Sequence, residues 1–246
     1  MSRQRIIIIG ATSAIAEHCA RLWARQPSDF VLVGRDQDRL DSVAADLRVR
    51  SPQSSAQSIV LDFSDAAAIA ALAKQTTVES RVDIVLIAHG NLPVQSDCQQ
   101  DLTLTRQALE VNGLSPVLFA EAFAAQLEKA GKGTLAIMGS VAGDRGRKTN
   151  YVYGAAKGLI DRYAQGLQHR FAGTPIKIVL IKPGPTATPM TAHLPPRGLA
   201  RAEDVARRIV AAVAAGQPVV YAPARWWLIM MIIRHLPRVV FNRMNI

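Results

Sequence analysis

The sequence predicts an α/β fold, a doubly wound, seven-stranded parallel sheet with helices on both faces. Short β-rich runs alternate along the chain with longer segments of helical period, the pattern of a mostly parallel sheet covered by crossover helices. The length of 246 residues suits one domain of this kind. No repeat, low-complexity tract or linker divides it, so residues 1–246 read as a single domain with an amphipathic segment at 225–246.

The predicted strands are Arg5–Ile9, Phe30–Val33, Ser58–Leu61, Asp83–Ala88, Thr134–Gly139, Lys177–Ile181 and Pro218–Tyr221. Between them, helical periodicity covers Ala14–Arg25, Asp38–Arg48, Ala66–Gln75, a long stretch around Leu102–Ala130, Tyr151–Phe171 and Ala202–Ala215. A doubly wound sheet binds ligands beyond the carboxyl ends of its strands, so the informative residues are those just after strands.

Composition excludes several classes. Cys19 and Cys98 lie far apart, with neither CxxC nor Cys/His spacing, which argues against a metal site or a disulfide framework and for a reducing compartment. The apolar run Ile6–Ile9 is too short for a signal peptide, so a cytoplasmic protein is expected. Lys and Arg outnumber Asp and Glu by 29 to 19, a balance that attracts polyanions. No zinc-finger or RNP-type motif points to nucleic acid, which is not expected as a partner. Trp226–Ile233 is far shorter than the roughly 20 residues needed to span a bilayer, so 225–246 would lie on a membrane rather than cross it.

After the first strand comes Gly10-Ala-Thr-Ser-Ala-Ile-Ala16, opening into a helix whose free amides would face a pyrophosphate. Small residues are needed there because backbone must approach the phosphates. Gly10, Thr12, Ser13 and Ile15 are the candidate contacts. At the end of the second strand stands Arg35, next to Asp36. An acidic residue at that point would accept a ribose 2′-hydroxyl, whereas an arginine pairs with a 2′-phosphate. The reading favours NADP(H), with NAD(H) as the alternative.

Tyr153 and Lys157 stand four apart on one predicted helix and so share a face. Ser140 follows the fifth strand, thirteen residues before Tyr153, and Asn112 lies within Glu110-Val-Asn-Gly-Leu-Ser115. This set resembles the Asn, Ser and YxxxK elements of the short-chain dehydrogenases, which have a Rossmann-like fold. The Gly10–Ala16 loop resembles their TGxxxGxG loop, with Ala14 and Ala16 where glycine is usual. The resemblance assigns Asp62-Phe63 to the adenine and Ala88-His89-Gly90 to the place of an Asn-Ala-Gly turn. Pro183-Gly184 is similar to the segment that runs along the nicotinamide, followed by Thr188 at the pyrophosphate or carboxamide side.

The resemblance also implies roles. Tyr153 is the general acid or base. Lys157 lowers the phenol's pKa and binds the nicotinamide ribose. Ser140 stabilises charge on the substrate oxygen, and Asn112 anchors a water that resupplies protons. His89 reads as a loop residue beside the cofactor. The Pro-rich stretch after Thr188, running to Arg201, is a candidate substrate lid or a plain connection.

Within this family, Gly139–Arg147, Tyr151–Lys157, Met190–Leu194, Tyr221-Ala-Pro-Ala and Ile233–Arg238 resemble the decaprenylphosphoryl-2-keto-pentose reductases. Those act after a flavin oxidase, which the resemblance adds as a partner. The implied substrate is a lipid-linked keto-sugar phosphate, with Arg145, Arg147, Tyr151 and His193 as candidate substrate contacts. For 225–246, a membrane surface and a neighbouring subunit are both compatible occupants. A homodimer or homotetramer is expected by analogy, through Leu102–Ala130 and Tyr151–Phe171. A soluble ketone substrate and a non-catalytic dinucleotide sensor are the competing functions, and the complete tetrad disfavours the sensor.

Overall fold

The computed structural model describes residues 3–78, 81–193, 195 and 197–244. Its centre is β1 (Gln4–Ile9), whose four isoleucines Ile6–Ile9 are fully buried. Successive side chains of a strand point to opposite faces. Ile6 and Ile8 therefore enter the core on one side of the sheet, and Ile7 and Ile9 the core on the other. Each such side chain contributes roughly 1.5–3 kcal/mol on burial.

The remaining strands of the main sheet are β2 (Ser28–Gly34), β3 (Ser55–Val60), β4 (Ile84–Ile87), β5 (Gly133–Met138), β6 (Ile176–Pro183) and β9 (Val219–Ala222). They pair in parallel in the order β3-β2-β1-β4-β5-β6-β9. One helical layer consists of α1 (Ala14–Trp23), α2 (Gln37–Arg50) and α8 (Ala202–Ala215); the other of α3 (Ala66–Val78), α6 (Ser115–Ala130) and α7 (Tyr151–Arg170). Strand order reverses between β1 and β4, and the crevice above that switch point is where such sheets take ligands.

All seven expected strands are present, their ends shifted by no more than three residues. The long stretch 102–130 is not one helix. It is α5 (Leu102–Leu109), a π-helical segment at Glu110–Leu114, and α6, preceded by a short α4 (Gln95–Gln100) that the sequence did not announce. Asp101 ends α4 and caps α5, its side chain accepting from the Thr103 and Leu104 amides. A two-strand ribbon, β7 (Thr186–Ala187) with β8 (Ala200–Arg201), closes the base of the Pro-rich loop and was also unexpected. Leu194 and Pro196 of the expected lid, and Asn245 and Ile246 of the C-terminal segment, lie outside the described residues.

The C-terminal segment is two helices, α9 (Arg225–His235) and α10 (Arg238–Phe241). The chain breaks at Leu236–Pro237 because proline has no amide hydrogen to continue the ladder. The inner side of α9, with Met230 at 1% exposure and Trp226, Ile229 and Ile233 beside it, packs on Val141 and Tyr221. No helix among the described residues is long and apolar enough to cross a membrane.

The loop leaving β5 lies directly on α7. A Cβ built at Gly143 would come within 2.8 Å of the Lys157 backbone, and one at Gly154 within 3.0 Å of the Ala142 carbonyl oxygen. Backbone cannot yield as a flexible side chain does. Gly143→Ala is accordingly expected to destabilise the fold by about 1–3 kcal/mol, seen as a lower denaturation midpoint. A midpoint equal to that of the parent would show that the loop does not need this close seat.

Candidate active site

Tyr153 and Lys157 project from the first turns of α7 into the crevice beyond β4, β5 and β6. Ser140 follows β5 directly and caps the short 3-10 turn Val141–Gly143, its Oγ accepting from the Ala142 amide at 3.1 Å. The Tyr153 and Ser140 side chains line the same cavity, and the Lys157 ammonium sits 5.6 Å from the Tyr153 ring centroid. Lys157 Nζ also donates to the Met138 carbonyl oxygen at 3.1 Å. The three side chains line one cavity with Pro183, Gly184 and Arg147.

Asn112 is fully buried within the π segment, a local insertion that recurs at functional sites. Its Oδ1 accepts from the Asn91 amide at 2.8 Å, and its Nδ2 donates to Asn91 Oδ1 at 2.7 Å and to the Ala108 carbonyl at 2.9 Å. Asn112 thus fastens the loop after β4 to the helix layer. Gly90 lies between it and the lysine; a Cβ there would stand 2.8 Å from Asn112 Oδ1 and 3.6 Å from Lys157 Nζ.

Burial pushes the Tyr153 phenol up to about 12, opposed by its hydrogen bond with Ser140. Burial brings Lys157 down to about 8, opposed by Asp161 one turn further along α7. Burial is the largest influence on the phenol. Tyr153 is held as a proton donor, the form that a reduction consumes.

Beside these groups a cavity of about 450 Å³ runs past the N-terminus of α1 to the end of β2. Gly10, Thr12, Ser13 and Ile15 line one side, and Phe63, Ala88, Gly90 and Thr188 line the other. Gly10 has φ 78°, and a Cβ there would lie 2.7 Å from the His89 backbone nitrogen, so glycine is required at this position. Ala16 is fully buried in the core, so alanine in place of the usual glycine fits the helix–sheet packing.

Arg35 is exposed at the far end of the cavity. Asp36 is engaged elsewhere, capping α2 by accepting from the Arg39 amide at 3.1 Å. The sequence reading missed Arg39, which lines the same end and reaches the Thr12 carbonyl at 3.1 Å. Its signal was the spacing of four from Arg35 across the start of a helix. Asp62 is exposed, outside the residues lining the cavity, and its Oδ1 is occupied by the Ser64 amide and hydroxyl. Those bonds hold its carboxyl below the usual range.

His89 is half-buried, stacked edge-on against Phe63 and Phe119, and its Nε2 shares a hydrogen bond with Ser115 at 2.9 Å. Burial, with Lys157 and Arg35 adding to it, brings its pKa down to about 3, so the ring is neutral. Its buried Nδ1 has no protein partner and belongs to a residue lining the cavity.

Of the expected substrate contacts, Arg147 alone lines the reaction cavity. Its Nε is buried without a protein partner, and burial lowers its pKa. Arg145 is a correction. Its guanidinium turns away to the C-terminal segment, donating to the Leu236 carbonyl at 2.8 Å and to that of Ile233, and stacking 3.8 Å from the Phe241 ring centroid. Tyr151 is 45% exposed, and His193 is exposed as well; both stand outside the cavity lining. Both cysteines are buried and free, and no group of three metal-ligating side chains occurs among the described residues.

A parallel sheet with a cavity at its switch point, and Ser140 after β5 brought together with Tyr153 and Lys157 of α7, define an NAD(P)-dependent oxidoreductase. The chain belongs to the short-chain dehydrogenase family, whose model matches residues 4–197. It is 31% identical over 241 residues to an uncharacterized oxidoreductase of Mycobacterium tuberculosis, covering 97% of this chain and 96% of that one. It resembles a short chain dehydrogenase from Burkholderia cenocepacia, solved in complex with NADP, with a TM-score of 0.83, 17% identity and coverage of 98% and 97%. A Sphingobium yanoikuyae short-chain dehydrogenase, solved with NADPH, gives a TM-score of 0.80 at 22% identity, covering 98% and 96%.

Replacing Tyr153 with Phe removes the proton donor and little volume. Turnover should fall by about 10²–10⁴-fold while cofactor binding by fluorescence titration persists. Unchanged turnover would exclude Tyr153 from the chemistry.

Proposed function

We propose that this protein is an NADPH-dependent ketone reductase acting on a lipid-linked 2-keto-pentose phosphate at a membrane surface. The observation that carries the reduction is the gathering of Tyr153, Ser140 and Lys157 in one cavity that shares Ser13, Ile15, Gly90 and Thr188 with the neighbouring dinucleotide cradle. When bound, NADPH supplies the hydride. Tyr153 delivers its proton to the carbonyl oxygen, Ser140 donates to the same oxygen as charge builds there, and Lys157 orients the ribose. The cradle fits this cofactor: glycine at positions 10 and 90 keeps room that a Cβ would fill, and the buried His89 Nδ1 awaits a partner.

NADP(H) is favoured over NAD(H) because Arg35 and Arg39 stand at the adenosine end while Asp36 is committed to its cap. Each charge-assisted bond to a 2′-phosphate contributes about 1.5–3 kcal/mol. Arg35→Ala/Arg39→Ala should weaken NADPH binding at least tenfold and leave NADH binding nearly unchanged. Equal losses for both cofactors would remove the 2′-phosphate assignment.

The substrate reading draws on the resemblance to decaprenylphosphoryl-2-keto-pentose reductases and on two features of the molecule. Arg147, with an unpartnered Nε in the cavity wall, suits a phosphate. Outside the cavity, α9 exposes Trp227, Leu228 and Ile232, each more than half accessible, with Val239 beyond them on α10. The chain from Val205 to its end carries six arginines and no acidic residue, the balance expected of a surface that meets anionic lipid. The opposite side of the same helix docks on Gly184 and Val141, two residues of the reaction cavity wall, which supports a surface-bound helix close to the site. A flavin oxidase would supply the keto-sugar, and localisation is proposed as cytoplasmic and peripheral on the membrane. Exposed Leu109, Leu114 and Leu159 on α5–α7 support a homodimer or homotetramer through that separate face.

The test is NADPH consumption with a polyprenyl-phosphate 2-keto-pentose presented in anionic vesicles. Turnover is expected there, and Trp227→Glu/Ile232→Glu should lower vesicle co-sedimentation at least tenfold. Activity only on soluble ketones, with no vesicle binding, would overturn the substrate and membrane assignments and leave a soluble-ketone reductase.

A further inference from the structure

Behind the catalytic helix lies a buried cluster of charge that the reduction itself does not use. Lys182, at the end of β6 next to Pro183-Gly184, is 4% exposed. Its Nζ pairs with Asp161 Oδ2 on α7 at 2.6 Å and with Asp144 Oδ1 on the loop leaving β5. Tyr221, the register partner of Lys182 on β9, donates its hydroxyl to Asp144 Oδ2 at 2.9 Å. Each charged member therefore stands on a segment that carries or adjoins a site residue: Ser140 four positions before Asp144, Lys157 four before Asp161, Pro183 directly after Lys182.

The cluster holds one ammonium against two carboxylates. Asp161 Oδ1 is buried with no hydrogen-bond partner, and a Cβ at Gly139 would stand only 3.2 Å from it. Removing charges from water is unfavourable unless they are paired, so an arrangement with a carboxylate oxygen left over calls for a reason. Asp161 lies one helical turn beyond Lys157, on the same face of α7.

We propose that Asp161 is a positioning residue for the catalytic centre: clamped by Lys182, its carboxylate holds the Lys157 ammonium protonated, while Lys182 and Asp144 lock the Ser140 loop to α7. The groups facing Asp161 are Lys157 and Arg162 from its own helix, Lys182 from β6 and Asp144 from the β5 loop; Tyr221 of β9 reaches it through Asp144. Those facing Lys157 are Asp161, Tyr153 and the neutral His89. Burial, opposed by Lys182, raises Asp161 to about 6, and burial, opposed by Asp161, lowers Lys157 to about 8. Both charges coexist between these values. Below that window Asp161 is protonated, and above it Lys157 loses its proton.

This inference rests on Lys157 acting as the cofactor-facing cation, so its test is made on the chain without cofactor. Competitive acetylation with acetic anhydride across pH, with Lys157 quantified by peptide mass spectrometry, reads the ammonium's titration directly. In Asp161→Asn the Lys157 midpoint should move down by about one pH unit, and the midpoint of NADPH binding against pH should move with it. An Asp161→Asn chain that folds with an unmoved Lys157 midpoint overturns the proposal, whatever NADPH does. Should Lys157 shift while NADPH affinity ignores pH, the positioning effect stands and the assignment of Lys157 to the ribose fails. Lys182→Met/Asp161→Asn, which leaves Asp144 with Tyr221, serves where the single variant does not fold. It should show the same downward shift, and a parent-like midpoint there also overturns the proposal.

Discussion

The catalytic geometry depends on how closely the loop leaving β5 lies against α7. Gly143 meets the Lys157 backbone and Gly154 meets the Ala142 carbonyl, contacts of main chain on main chain that leave no space for a Cβ. Such spacing is set by covalent geometry rather than by rotamers, so it resists thermal adjustment. Because of it, Ser140, Tyr153 and Lys157 reach one cavity from two segments that the sheet alone would not bring together. The π segment at Glu110–Leu114 completes the seat, since it turns Asn112 inward to fasten the loop after β4.

Burial then sets the protonation of what this seat assembles. The same apolar walls raise the phenol, lower the ammonium and hold His89 neutral, because a low-dielectric surrounding disfavours whichever form carries charge. A neutral phenol suits proton donation. A neutral lysine would not suit cofactor binding, and it is the lysine that has a carboxylate one turn behind it. Charge in this site is thus maintained by local opposition to a general tendency towards neutrality.

The C-terminal helices link the site to the surface of the molecule. Trp226 lies flat against Gly184, a position where any side chain would collide with the indole, and Arg145 spends its guanidinium on the Ile233 and Leu236 carbonyls and the Phe241 ring. These contacts hold α9 with Met230 inward and Trp227 outward. An arginine five residues after Ser140 thereby acts as a fastener for a distant segment.

Much of this was legible in the sequence. The alternation of apolar runs and helical periods follows from the backbone's need to satisfy its hydrogen bonds while burying one face, a local constraint that composition records; hence the seven strands and the placement of Ser140, Tyr153 and Lys157. The cofactor loop was equally readable, because close backbone approach demands small residues in sequence. What the sequence left open depends on partners remote in the chain. Whether Arg145 or Arg147 faces the cavity is decided by where α9 docks, and the free acceptor of Asp36 is removed by its own helix cap. The Asp144–Lys182–Asp161 cluster joins three segments that no spacing rule connects. Local periodicity determined the elements and the catalytic motif; tertiary packing alone decided which polar groups are left unpaired, because pairing is a property of distance in space and not of separation along the chain.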